Sequence, residues 1–447
     1  MSVGLQRLRE EPDVIRRGAI DKGEDPAVVD AAIALDARRR TLLGESDAAK
    51  GERNTASKQV GEAIRGGASP DSSEVATLRS ASVALGERIA TLDAELATVE
   101  AELEDALLRI PNPADPDVPV GGEEANVTVR EWGDQLAKDE PVEGEVGADA
   151  APGARTWTRR PHWDLAESLG LFDLERGAKI TGSGFPVYTG FGSRLQRSLI
   201  QWFLDVHVSE HGFTEIWPPA VVNTASARGT GQIPDKEDQM YVVTRDELYL
   251  VPTAEVPVTN LHRDEILEAA ELPIRYAAYT PCFRREAGAA GKDTRGIMRV
   301  HQFDKVEMVL FEKPGESEAA LEWMTGRAEV LLQRLGLAYR VLLMSTGEMG
   351  FVQAKKYDLE IWAPGVERWL EVSSCSNFRD YQARRMAVRY RPEPGAKPEL
   401  VHTLNGSGLA LARVFAGLLE TYQQPDGSVV VPEVLRPYMR TDVIAHA

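Results

Sequence analysis

The sequence predicts an α+β protein in two parts, an N-terminal antiparallel helical hairpin followed by a larger region of mixed helices and strands. Two observations carry this. Leu78, Leu85, Leu92, Val99 and Ala106 are spaced seven apart and interleave with Ser82, Ile89, Leu96, Leu103 and Ile110, the four-three alternation of a coiled-coil seam. From His162 onward, helical stretches alternate with short runs of β-branched and aromatic residues. With 447 residues, 43% of them hydrophobic, the chain can bury substantial cores.

The first arm of the hairpin is read over residues 26 to 65, where Val28, Ala32, Leu35, Leu42, Ala49, Ala56, Val60 and Ala63 form a weaker seam of small residues that lets a second helix approach closely. GGASPD at 66–71 separates the arms: glycines stop one helix and Ser69-Pro70 start the next. Each arm of about 40 residues spans roughly 60 Å at 1.5 Å per residue. Arg38, Arg39, Arg40, Lys50, Arg53, Lys58 and Arg65 give the first arm a basic stripe that the second, acidic arm lacks.

Prolines at 111–119 end the hairpin, and the low-complexity stretch KDEPVEGEVGADAAPGAR at 138–155 reads as an exposed linker or loop. The expected division is a helical arm at 1–112 and a second domain at 113–447 with a flexible segment near 134–156.

Composition excludes several classes. No run approaches a membrane span and the N-terminus lacks a signal-peptide apolar stretch, so a cytoplasmic protein with no membrane partner is expected. Cys282 and Cys375 are too few for a disulfide framework or a Cys-rich zinc site. His207, Glu210 and His211 form H-x-x-E-H, but no further ligand is evident and the stretch reads as an amphipathic packing helix, so no zinc is expected. A net charge of -19 confines any nucleic-acid contact to local basic stripes.

Chemistry concentrates in residues 276–311. Two strand-like runs flank a glycine-rich loop, which predicts a long antiparallel hairpin, and alternation puts Arg299, His301, Phe303, Lys305 and Glu307 on one face. An arginine there could hold phosphate, Phe303 could stack on a flat base, and Glu307 could read an ammonium or hydroxyl.

FRREAG at 283–288 and MRVHQFDKVEM at 298–308 resemble motif 2 of the class II aminoacyl-tRNA synthetases, in the form found in seryl-tRNA synthetases. HGFTEIWPP at 211–219 resembles motif 1, LEVSSCSNFRDYQARR at 370–385 the family's ATP and metal segment, and HTLNGSGLALARVFAGLLETYQ at 402–423 its motif 3. The N-terminal hairpin agrees.

The resemblance implies an antiparallel sheet flanked by helices, a homodimer, and a ligase that activates L-serine with ATP and Mg2+ and transfers it to tRNA(Ser), and to tRNA(Sec) by the same resemblance. It implies that Thr253, Ala254, Glu255, Arg284, Glu307 and Ser407 bind serine. ATP would be held by Arg284, Arg285, Glu286, Arg299, Phe303, Glu371, Val372, Ser373, Ser374 and Arg413. Arg284, Arg413 and Glu371 would be catalytic, and Glu371 and Ser374 would bind Mg2+. Regular alternation puts those last two on opposite strand faces unless a bulge intervenes. Three departures stand out, Arg285 where many relatives have Ser, Gly184 where Arg is common, and a 138–155 segment longer than usual. A ligase that loads a carrier protein would lack the arm, and a non-catalytic RNA-binding paralogue would not retain Arg284, Glu307, Glu371 and Arg413.

Overall fold

A computed structural model of the chain describes residues 3–133, 158–287 and 295–446, so the 138–155 segment and the tip of the glycine-rich loop lie outside the described residues. The chain forms two compact units, Met1–Pro111 and Asn112–Ala447.

In the first unit, helices α1 (Leu5–Glu10) and α2 (Pro12–Asp21) precede the long arms α3 (Ala27–Arg65) and α4 (Ser73–Leu108). The seam is as patterned: Leu42, Ala49, Ile89, Leu92 and Val99 pack as one cluster along the arms. At the base Leu8, Ile15 and Ala19 of the short helices close over Val29, Ala32, Leu103 and Leu107. Asp36 is buried there and takes a bidentate pair from Arg9 at 2.7 Å on each oxygen. The second arm starts later than Ser69-Pro70, because the Ser72 hydroxyl accepts from the Val75 N–H and caps the helix, while Ser69 accepts from the Asp71 N–H within the turn.

The basic stripe is partly spent inside the hairpin. Arg38 pairs with Glu95, Lys50 with Asp93 at 3.1 Å, Arg39 with Glu100 at 3.6 Å, and Arg40 with Asp36 at 3.3 Å. Arg53, Lys58 and Arg65, toward the tip, are exposed.

The second unit is built on an eight-stranded sheet. Its strands are β1 (Val127–Trp132), β2 (Thr214–Ile216), β3 (Ile274–Phe283), β4 (Gln302–Glu312), β5 (Tyr339–Leu343), β6 (Lys355–Ala363), β7 (Arg368–Asn377) and β8 (His402–Ala410), in the spatial order β1-β5-β6-β7-β8-β4-β3-β2. All neighbours are antiparallel except β2 and β3. Helices α5 (His162–Leu169), α6 (Gly190–Ser209), α7 (Glu255–Thr259), α8 (Ser317–Arg334) and α9 (Leu411–Tyr422) accompany the sheet. Leu199 and Phe203 of α6, Leu331 of α8 and Phe415 of α9 share one core with Val306, Leu359 and Val372 of the strands. Each such side chain stabilises the fold by about 1.5–3 kcal/mol on leaving water.

Residues 112–118, after the hairpin, are tied into the second unit. Asn112, Pro113 and Val118 are buried, the Asn112 amide donates to the carbonyls of Val352 and Phe378, and Asp115 pairs with Arg379 at 2.6 Å. Gly184 is required by its own geometry: φ is +81° and an added Cβ would lie 2.3 Å from the His301 ring.

Candidate active site

The hairpin β3–β4 and strands β7 and β8 enclose a cavity of about 530 Å3. Its wall brings together Thr253, Glu255, Arg284, Glu286, Arg299, Phe303, Glu307, Glu371, Val372, Ser374, Ser407 and Arg413. Ala254, Arg285 and Ser373 are not on that wall. Ala254 precedes α7 and packs among Val258 and Val309. The Arg285 guanidinium donates to the Asp238 carbonyl, and the Ser373 hydroxyl donates to the Ser407 carbonyl at 2.6 Å on the opposite face of β7.

His301 also leaves the predicted face. Strand β4 begins only at Gln302, so alternation does not extend back to it, and its ring stacks on Phe185 at 5.4 Å. Arg299, which also precedes the strand, reaches the cavity by another route. Glu286 adopts φ +51°, a conformation that costs a non-glycine residue about 1 kcal/mol or more, and its carboxylate meets the Arg299 guanidinium at 2.5 Å. The Arg284 guanidinium lies over the Phe303 ring, 5.2 Å from its centroid.

At one end of the cavity are three buried charges. Lys305 and Glu307, two apart on β4, pair at 2.6 Å, and the Ser407 hydroxyl donates to Glu307 at 3.4 Å. Glu255, also buried, accepts a hydrogen bond from the Gln382 amide at 2.6 Å, and the Gln382 carbonyl accepts one from Thr403 at 2.7 Å. Burial, and next the Glu307 charge, push the Glu255 carboxyl up to about 7.

Glu371 and Ser374 reach the cavity together through a bulge. Leu359 pairs with Ser373 and Glu360 with Glu371, leaving Val372 as an extra residue that resets the alternation. Enclosure disfavours the Glu371 anion, but Arg413 and Lys356 outweigh it and hold the carboxyl below its ordinary value. Arg413 donates to the Met298 carbonyl at 3.1 Å and to the Glu371 carbonyl at 2.8 Å.

Sequence reasoning missed Lys236, Lys356, Asn405 and Gln382. The first three line the cavity and the fourth holds Glu255. Alternation in KKYDLE could have found Lys356 and Asp358, which share a face of β6 and pair at 3.1 Å. Gln382 carries no local signal. The H-x-x-E-H residues go elsewhere: His207 and His211 bond to each other at 3.1 Å, and Glu210 pairs with Arg334.

Residues 4–114 match the seryl-tRNA synthetase N-terminal domain, and residues 241–422 match the tRNA synthetase class II core domain of the G, H, P, S and T enzymes. The serine–tRNA ligase of Thermomicrobium roseum is 50% identical over 97% of this chain and 93% of its own length. That of Gemmatimonas aurantiaca is 49% identical over 99% of both. The crystal structure of seryl-tRNA synthetase from Pyrococcus horikoshii complexed with ATP superposes with a TM-score of 0.90, at 37% identity and over 100% of both chains. Two domain matches, together with relatives that cover nearly the whole chain, lead to one conclusion: the chain belongs to the seryl-tRNA synthetases, the serine–tRNA ligases of class II.

Proposed function

We propose that the cavity performs the family's ligation in two steps. The serine carboxylate attacks the α-phosphorus of ATP in line, giving seryl-adenylate and pyrophosphate. A ribose hydroxyl at the end of tRNA(Ser), or of tRNA(Sec) by family resemblance, then attacks the adenylate carbonyl and AMP leaves. No protein nucleophile is needed, and catalysis is positioning and charge neutralisation.

The observation that carries this reading is the charge arrangement at one end of the cavity. Serine is a zwitterion with a hydroxyl, and Glu255 offers an anion for its ammonium, Arg284 a planar fork for its carboxylate, and Glu307 with Ser407 acceptors for its hydroxyl. Phe303 and Glu286 would receive adenine, while Arg299 and Arg413, also on the cavity wall, would face the phosphates. Hard oxygens suit Mg2+: Glu371, Ser374 and the Asp358 oxygen Oδ1, which is buried without a hydrogen-bond partner, would hold it. Bound with ATP, the ion supplies neutralisation of phosphate charge.

We assign tRNA contact to the helical arm, which would recognise shape and backbone rather than base sequence. A homodimer is supported by the motif 1 segment, where Trp217 beside edge strand β2 is 77% exposed, and light scattering reads that state directly. Among the described residues no helix is long and apolar enough to cross a membrane, and the cytoplasm is the proposed location.

Pyrophosphate exchange tests the whole reading. Exchange with serine should exceed that with alanine at least about a thousandfold, because alanine leaves the hydroxyl's polar partners unpaired. Comparable exchange with the two amino acids would refute the serine assignment.

A further inference from the structure

Behind the cavity wall, His162 and Glu420 form a polar pair with neither side chain exposed. Glu420 Oε1 accepts from the His162 backbone N–H at 3.0 Å and the ring Nδ1 at 2.8 Å, and Oε2 accepts from the N–H groups of Gly365 at 2.8 Å and Val366 at 3.2 Å. Four donors satisfy a carboxylate that would otherwise be too costly to bury. The opposite ring nitrogen, Nε2, accepts the Ile297 backbone N–H at 3.2 Å, which fixes the tautomer: the ring proton is on Nδ1 and donates to Glu420.

Anchoring the chain near His162 to α9 requires only the backbone bonds. The second ring nitrogen does something else. It grips the limb that returns from the glycine-rich loop, whose residues Ile297, Met298 and Arg299 line the cavity. The limb is shaped around the ring: Gly296 has φ +65°, and an added Cβ there would lie 2.1 Å from His162 Nε2. The peptide after next is held as well, because the Met298 carbonyl accepts from Arg413 at 3.1 Å. Arg413 and Glu420 are seven residues, two turns, apart on α9, so one helix face fastens two peptides of the wall that flank a third, one directly and one through the imidazole.

We propose that His162 is a positioning residue for ATP: by holding the Ile297 amide against α9 it sets the placement of Arg299 and of the wall that receives the nucleotide, without touching the serine end. The proposal rests on the reading of this cavity as the ATP site.

The test compares two full-length variants. In His162→Asn the amide nitrogen takes the place of Nδ1 and nothing reaches Ile297, whereas in His162→Gln a carbonyl oxygen reaches the Nε2 position and accepts the amide. In serine-dependent pyrophosphate exchange, the Asn variant should raise the KM for ATP about tenfold and leave the KM for serine within about twofold, while the Gln variant stays within about threefold of the parent for both. Hydrogen exchange of the peptide spanning 295–300 should quicken in the Asn variant and not in the Gln variant. Gly296→Ala, which pushes the limb off the ring and leaves the His162–Glu420 pair intact, should reproduce the ATP-selective defect if the Asn variant does not fold. Equal rises for ATP and serine, a Gln variant as impaired as the Asn variant, or an unchanged KM for ATP in the Asn variant would overturn the proposal. Absence of serine-dependent exchange in the parent protein would instead refute the functional reading itself.

Discussion

The Lys305 ammonium lies 2.6 Å from the Glu307 carboxylate, two residues along β4 on the same face, and both side chains are nearly closed to solvent. Without that ammonium, Glu307 and Glu255 would face one another as two carboxylates in one enclosed space. Lys305→Met should therefore raise the KM for serine roughly 10- to 100-fold, because removing one partner strands a buried charge. The KM for ATP should move much less, and Lys305→Arg should recover part of the loss. Steady-state exchange kinetics check this, and parallel shifts for both substrates would show a general structural defect instead.

With Glu255 as the proposed partner of serine's ammonium, serine binding should depend on pH. Its carboxyl, pushed up to about 7 chiefly by burial and then by Glu307, is opposed by Gln382, Lys305 and Lys236. Serine's ammonium needs the ionised form, so the KM for serine should fall about tenfold between pH 6 and pH 8, and Glu255→Gln should remove that dependence while weakening binding. For stability the sign is the reverse. A carboxyl raised in the folded state holds its proton longer than in the unfolded chain, so stability falls as pH rises from the unfolded value through about 7. At pH 8 the Gln variant should be more stable than the parent by roughly 2 to 3 kcal/mol, with little difference at pH 4. Thermal melts at the two pH values measure this.

Arg413 joins the Met298 and Glu371 carbonyls and lines the cavity at the end proposed for the phosphates. Arg413→Ala should lower kcat/KM for ATP about 30- to 1,000-fold through loss of a charge-assisted contact. A folded variant with a near-parental value would remove this residue from the nucleotide's partners.

In the arm, the distal cations are the ones to test. Arg38, Arg39, Arg40 and Lys50 are engaged by Glu95, Glu100, Asp36 and Asp93, so altering them also loosens the hairpin. Reversing Arg53, Lys58 and Arg65 to Glu should spare pyrophosphate exchange, weaken tRNA binding and flatten its salt dependence by up to about three phosphate contacts. Replacing residues 54–86 with a short turn should reduce tRNA charging severely while exchange persists. Normal charging by the trimmed protein would make the arm a scaffold.

The heptad seam and the β3–β4 hairpin were legible because both rest on repeated local periodicity. Motif residues on regular strand, such as Phe303 and Glu307, landed where alternation put them. His301 did not, because the strand starts one residue after it, and the Glu371–Ser374 pairing was hidden because alternation carries no mark of a bulge. The short helices α1 and α2 lack enough turns to show a period, and they cover a buried Asp36 whose partner Arg9 lies 27 residues away. Gln382 supports Glu255 from a segment 127 residues distant, a relation only the folded chain contains.

The extra residue at Val372 works as a phase shift within one strand. Arg368–Glu371 and Ser373–Asn377 are each regular, but they are out of step, and the cavity depends on the offset. A transplant that kept every residue of this strand but laid it against a partner as regular β-strand, with Val372 paired rather than extra, would send Glu371 to the far side of the sheet. The bulged pairing at this point is therefore as much a part of the site as any side chain.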